Sequence, residues 1–306
     1  MILYLTMRIA RAVLGGALLV VTLGACSGSS PDGRGVAVVA TTTPVGSIAE
    51  ELGGDAIDLT VLLRPGVEAH DFEISPAAGA AIERADLILK SGAGLETWLD
   101  DAIETIGGEG RVRDLSDRIE LRRSANGEID PHYWLSAANA IVMVENARDA
   151  LIEVAPHAAD GITERAAGLI GRLEAADGEI LALFDEIPDD RRKVVTDHDA
   201  LGYFIDEYGL EFVGSVFPSL DVSSDPSARE IEMLVETIRE LDVPAIFPES
   251  AMNQQLIQAV AAETGVTVSE EPLYTDSLGP PGSGAETLDG MLRHNARVIH
   301  DGLLRS

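Results

Sequence analysis

A long proline-free stretch, flanked on both sides by alternating strand-like and helix-like segments, constrains this chain most. Residues 158–184, AADGITERAAGLIGRLEAADGEILALF, place Ile162, Ala166, Leu169, Ile170, Leu173, Ile180, Leu181 and Phe184 at steps of three and four. That spacing predicts one amphipathic helix of ~40 Å at 1.5 Å per residue. Gly168, Gly171 and Gly178 weaken it, because glycine is a poor helix former. Pro188-Asp189-Asp190 ends it.

Before this helix, Val36–Thr41, Ile57–Leu63 and Leu87–Lys90 read as strands. Pro44–Leu52 (with Thr43 as N-cap), Ser75–Ala85 (with Pro76 in its first turn), Leu95–Ile106 and Ser136–Val154 read as helices. After it, Lys193–Thr196, Glu211–Val216, Ala245–Phe247 and Val266–Val268 read as strands. Ala200–Tyr208, Ala228–Leu241, Met252–Thr264 and Glu286–Leu304 read as helices. Strand–helix alternation of this kind implies mostly parallel sheets flanked by helices. The expected fold class is therefore α/β, with two lobes at 36–156 and 190–306 joined by one long rigid helix within 157–189. The sequence contains no convincing repeat.

The N-terminus carries a different signal. Arg8 and Arg11 precede the apolar run Ala12–Leu23, followed by Leu23-Gly24-Ala25-Cys26. The run suits a signal-peptide core and is too short for the ~20 residues that span a bilayer. The Leu-Gly-Ala-Cys ending looks like a bacterial lipobox, in which the cysteine is lipidated and becomes the first mature residue. Residues 1–25 are thus expected to be a lipoprotein signal peptide, Cys26 the lipidation site, and 26–35, rich in Gly and Ser, a flexible tether. Cys26 is the sole cysteine, so no intrachain disulfide can form.

Composition narrows the function classes. The formal net charge is −30, which repels phosphate backbones and excludes nucleic acid as a natural partner. The chain has no His-Glu-x-x-His, Gly-x-Ser-x-Gly or phosphate-binding loop, so nothing marks it as an enzyme. Three of six histidines lie at strand ends or in loops: His70 in Arg64-Pro65-Gly66-Val67-Glu68-Ala69-His70, His132 in Asp130-Pro131-His132-Tyr133-Trp134-Leu135, and His198 in Asp197-His198-Asp199. Asp276, in Leu273-Tyr274-Thr275-Asp276-Ser277-Leu278, has a comparable position. Ligands in open parallel sheets gather beyond the carboxyl ends of strands. The separations are far longer than those of zinc fingers. From spacing alone, a lone histidine at a strand end is more often a structural, hydrogen-bonded residue than a ligand. His157, His294 and His300 fall at or within helical segments and are expected on the surface.

These stretches together resemble the signature segments of the cluster A-I solute-binding lipoproteins, the zinc and manganese receptors of ABC importers. The resemblance rests on Leu63-Arg64-Pro65-Gly66 through Pro76, Asp130 through Leu135, Asp197 through Phe204, and Leu273 through Asp276, in that order, and covers nearly the whole mature chain. It implies one transported divalent ion held between two lobes by His70, His132, His198 and Asp276. It also implies delivery to an ABC permease by a monomer anchored outside the cytoplasm through lipid at Cys26. Asp71, Glu73, Asp197, Asp199 and Glu249 are candidates to orient the imidazoles. Two departures bear on the metal. Many zinc-specific members carry a His-rich loop between the first two ligands, whereas residues 107–129 contain no histidine. Manganese receptors commonly have a carboxylate at the third ligand position, where this chain has His198. The expectation is Zn²⁺ over Mn²⁺, with affinity falling as pH drops through ~6.5, the ordinary histidine value. The alternatives are a manganese or iron receptor of the same type, an extracytoplasmic zinc hydrolase, or a surface adhesion protein. Three histidines and one aspartate fill a tetrahedron and leave no water position, which argues against the hydrolase.

Overall fold

The computed structural model describes residues 35–305 apart from 68, 71, 125–126 and 221–224. Cys26, the signal segment and residues 26–34 lie outside the described residues. Eight strands form: β1 Val36–Ala40, β2 Ile57–Val61, β3 Leu87–Lys90, β4 Val112–Asp114, β5 Lys193–His198, β6 Glu211–Phe217, β7 Ala245–Phe247 and β8 Thr267–Val268. The helices are α1 Thr43–Gly53, α2 Pro76–Arg84, α3 Thr97–Ile106, α4 Ala137–Val154, α5 Ala159–Phe184, α6 Gly202–Tyr208, α7 Ala228–Glu240, α8 Gln255–Thr264 and α9 Leu288–Arg305. Among the described residues, no helix is long and apolar enough to cross a membrane.

The strands make two four-stranded sheets, ordered β2-β1-β3-β4 and β6-β5-β7-β8, and every pairing within them is parallel. Both sheets place their first strand second in the order. The chain leaves that strand in opposite directions, so a crevice opens beyond its carboxyl end. Parallel sheets need cover on both faces. Accordingly Val38, Ala40, Leu87 and Leu89 pack into one apolar cluster, while Val39 and Ile88 pack into another with Ile82 and Leu99.

The long helix forms as its periodicity predicts. In α5, Ile162, Ala166, Leu169, Leu173, Ala176, Ile180 and Phe184 are buried. They form one stripe that packs against α4 and α9. Phe184 closes the stripe against Phe204 and Tyr208, with ring centroids 5.8 and 5.9 Å away. Each fully buried leucine or phenylalanine contributes roughly 1.5–3 kcal/mol. The glycines fall on the opposite face: Gly168, Gly171 and Gly178 are exposed, and a Cβ built there would meet nothing within 4 Å.

Several boundaries differ from expectation. The cap of α1 is Thr42, whose hydroxyl accepts from Val45 N, and Thr43 instead accepts from Leu278 N at 2.8 Å. The helix expected from Met252 begins at Gln255, because Asn253 Oδ1 takes the Gln255 N–H and turns the chain first. The helix expected from Ala200 begins at Gly202, since Ala200 N bonds back to His198 O in a tight turn. Strand β4, Val-Arg-Asp, was not anticipated, because one apolar residue in three makes no strand pattern. His157 is exposed as expected, but His294 is buried, its Nε2 3.0 Å from Pro272 O and its ring 4.9 Å from that of Tyr274.

The bare glycine face of α5 yields a stability prediction. Replacing Gly168, Gly171 and Gly178 by Ala should each add roughly 0.5–1 kcal/mol to unfolding free energy, since helix propensity rises and nothing clashes. Urea denaturation of the triple variant should show ~1.5–3 kcal/mol of gain; an unchanged or lower midpoint would mean that this face is not a free helical surface.

Candidate metal centre

Each of the four residues reaches the centre by a different local route. His198 is the last residue of β5, the strand second in its sheet order, so its ring emerges at the crevice. Its backbone N–H donates to Glu249 Oε1 at 2.9 Å, and its Nδ1 lies 2.8 Å from Glu249 Oε2. Glu249 follows β7 by two residues and is fully buried. It also accepts from the Thr275 hydroxyl at 2.5 Å, while its own N–H donates to Asp197 Oδ2 at 2.7 Å.

His132 is held by its own turn. Asp130 Oδ1 accepts the His132 backbone N–H at 3.0 Å and lies 2.9 Å from its Nδ1. The other Asp130 oxygen lies 3.3 Å from Arg122 Nη1, and Arg122 Nε donates to Asp206 Oδ2 at 2.8 Å. Tyr203 reinforces the turn by donating to Asp130 O at 2.9 Å and accepting from Arg122 N at 2.8 Å. Asp130 engages the His132 Nδ1 and Glu249 lies beside the His198 Nδ1, though not in hydrogen-bonding alignment; both Nε2 atoms lie toward Asp276, as an ion-binding imidazole requires.

Asp276 lies between the two rings. Its Oδ1 is 3.2 Å from His132 Nε2 and 3.7 Å from His198 Nε2. His70 joins through His132, with ring centroids 5.6 Å apart, and the His132 and His198 rings are 5.3 Å apart. Ligand atoms of His70, His132 and Asp276 all lie within 4.8 Å of one another, as do those of His198, Glu249 and Asp276. A tetrahedral ion with bonds of ~2.0–2.1 Å spaces its donor atoms ~3.3–3.4 Å apart. The two Asp276 distances bracket that value. Among the described residues, His132 Nε2 and both Asp276 oxygens are buried without a well-aligned hydrogen bond, which ordinary folded proteins avoid.

The charge balance is equally unusual. Burial pushes His132 down, but the carboxylates of Asp130 and Asp276 outweigh it and raise the ring to about 9. Burial likewise opposes protonation of His198, and Glu249 and Asp276 overcome it, holding it well above the ordinary value. Burial would raise Asp276, yet His198 and His132 keep it well below the ordinary carboxylate range. Burial, then the charge of Glu249, raises Asp197 to about 7. Without metal, protons on the imidazoles supply the positive charge that Asp276 requires.

The four sequence candidates fall in two overlapping groups that share Asp276, His70 with His132 in one and His198 with Glu249 in the other. Of the proposed orienting residues, Glu249 and Asp197 are buried in the network. Glu73 is exposed, Asp199 is half-buried, and Asp71 lies outside the described residues. Asp130 was missed, because an acid before proline reads as a turn former; its spacing of two from His132 was the available signal.

The raised imidazoles make stability depend on pH. A histidine whose folded pKa rises from 6.5 to about 9 stabilises the fold fully below pH 6.5, and that contribution disappears as pH rises through about 9. Metal-free protein should therefore lose roughly 3 kcal/mol between pH 6.5 and 9.5 from His132 alone. Urea titrations under chelator would check this; constant stability across that range would contradict the pairing.

Comparisons with known proteins bear on the family and the fold. Residues 38–302 match the family described as zinc-uptake complex component A, periplasmic. The manganese-binding lipoprotein MntA of Halalkalibacterium halodurans is 32% identical over 278 residues, covering 90% of this chain and 91% of the relative. The iron-binding protein YfeA of Yersinia pestis is 30% identical over 250 residues, covering 79% and 78%. The solved periplasmic zinc binding protein TroA from Treponema pallidum superposes with a TM-score of 0.83 at 26% identity, covering 89% of this chain and all of that one. The chain belongs to the zinc-uptake complex component A family, the metal-binding components of ABC importers.

Proposed function

We propose that this chain captures Zn²⁺ outside the cytoplasm and delivers it to an ABC permease, as a monomer tethered to the membrane by lipid on Cys26. In this reading His70 and His132 from lobe 36–156, and His198 and Asp276 from lobe 190–306, are the ligands, with 157–189 as the connecting segment. The tether and anchor draw support from the Leu-Gly-Ala-Cys sequence and from the lipoprotein names of relatives. The observation that carries the metal reading is the placement of Asp276 Oδ1 at 3.2 and 3.7 Å from two carboxylate-backed imidazoles. Three nitrogens and one oxygen, with His132, His198 and Asp276 buried and His70 half-buried, suit a borderline ion that accepts four-coordination. The ion is cargo, so nothing in the site need activate water or substrate.

Manganese is the second reading. Several relatives are named for manganese, and Glu249 groups with His198 and Asp276 within ligand distance. A Glu249 oxygen transferred from His198 to the ion would make a harder, oxygen-richer site that suits Mn²⁺. The zinc reading keeps Glu249 on His198 Nδ1, 2.8 Å away.

Calorimetric titration of metal-free protein separates the two. One Zn²⁺ per chain is expected, with Mn²⁺ weaker by about two orders of magnitude or more, following the intrinsic affinity order. His198→Glu should weaken Zn²⁺ and narrow the gap. Mn²⁺ binding as tightly as Zn²⁺ in the wild type would favour the second reading.

The same titration tests the proton balance. The carboxylates of Asp130 and Asp276 raise His132 to about 9, and those of Glu249 and Asp276 raise His198 above its ordinary value, so the imidazoles of metal-free protein hold protons more tightly than free ones. Proton competition thus extends through pH 7, above the ~6.5 that unperturbed imidazoles would give. Zn²⁺ binding at pH 7 should expel about one proton per ion from His132, and more to the extent that His198 is protonated. Enthalpies measured in buffers of different ionisation heat report that number directly; a value near zero would contradict it.

A further inference from the structure

Metal ligation leaves one sequence motif unexplained: Arg64-Pro65-Gly66, which precedes His70. The chain enters this motif from a fixed base. Beyond β2, Leu62 N donates to Ala40 O at 2.9 Å and Leu63 N to Thr41 O at 3.0 Å, so the segment stays paired to the end of β1. Val67 N then donates back to Arg64 O at 3.1 Å, closing a four-residue turn. Gly66 has φ +77°, and with Pro65 before it the turn is type II. In such a turn the central amide takes no part in the closing bond. Its N–H faces outward, free to reach another part of the molecule.

It reaches the segment that carries Asp276. Gly66 N donates to Ser277 Oγ at 2.9 Å, joining residues 211 positions apart. Ser277 is buried. The root of this segment is fixed to its own half of the chain: Tyr274 N donates to Asn295 Oδ1 at 2.9 Å, Asn295 Nδ2 donates to Tyr274 O at 2.7 Å, and the Thr275 hydroxyl donates to Glu249. Its tip is fixed to the other half at Thr275 O by Trp134 Nε1, at Ser277 Oγ by Gly66 N, and at Leu278 N by Thr43 Oγ1. The first two flank Asp276 directly. Among the described residues, the Gly66–Ser277 bond ties the Asp276 segment to the turn leading into His70.

We propose that the Pro65–Gly66 turn and Ser277 form a clasp, which fixes Asp276 relative to His70 and sets how long the ion is retained. The proposal rests on the ligand assignment above. Ser277 and Gly66 are positioning residues that touch no ion. Glycine is needed at 66 for its backbone and not for space, because a Cβ there would meet nothing within 4 Å. An asparagine tolerates positive φ and keeps the N–H, whereas a β-branched residue resists that conformation.

The test measures Zn²⁺ release into excess chromophoric chelator by stopped flow, after native mass spectrometry has verified one Zn²⁺ per chain in each protein. Ser277→Ala removes the acceptor and should speed release roughly tenfold, the scale of one buried hydrogen bond. Gly66→Val should do the same, and Gly66→Asn should stay within about twofold of wild type. A role limited to stability would lower the melting temperature of metal-free protein and leave release unchanged. Wild-type release from Ser277→Ala, or equal effects from Gly66→Val and Gly66→Asn, would overturn the clasp while leaving the metal site standing. A wild-type protein that binds no Zn²⁺ would remove the ligand assignment and the clasp together.

Discussion

One buried carboxylate governs this structure. Asp276 sits in the crevice between the two sheets, almost sealed from water, with His132 and His198 facing it from opposite halves of the chain. An isolated ionised carboxylate in such a place would cost several kcal/mol or more. It is tolerable only with positive charge beside it. In metal-free protein that charge is protons on the imidazoles, and in the proposed loaded state it is a divalent ion. The two states compete for the same nitrogens, so binding, proton release and stability are aspects of one equilibrium.

The two imidazoles reach equivalent poses by unequal means. Asp130 orients His132 from two residues away and is itself held by Arg122, which also pairs with Asp206 on α6. Glu249 orients His198 across 51 residues, from the end of the neighbouring strand β7. Asp130 bonds the His132 Nδ1, Glu249 bonds the His198 backbone N–H and lies beside its Nδ1, and both Nε2 atoms are left toward the centre. Relatives named for zinc, manganese and iron share this fold, and small shifts among carboxylates and imidazoles are enough to change preference.

Much of this architecture was legible in the sequence. Strands β3 and β7 and the span of α5 were placed within a residue, because runs such as Leu-Ile-Leu and the three-and-four spacing of α5 leave little choice. What escaped depends on tertiary partners. Strand β4 is set by pairing with β3 and not by its own residues. His294 is buried because α9 turns it toward Pro272 and Tyr274, which no local pattern reveals. The four candidate ligands are 62 or more residues apart, so spacing alone could not group them. Their convergence became an expectation only through the resemblance of the surrounding motifs. The contact from Gly66 to Ser277 was invisible for a similar reason: a turn glycine and a serine gain their roles from where the fold brings them.

The central claim is that three imidazoles and one carboxylate share a single ion, and X-ray absorption at the zinc edge tests it most directly. Protein loaded with one equivalent of Zn²⁺ should show four nitrogen or oxygen neighbours at ~2.0–2.1 Å. It should also show multiple-scattering features that require about three imidazole rings. Five or six neighbours at longer distance, or scattering from one ring or none, would contradict the account.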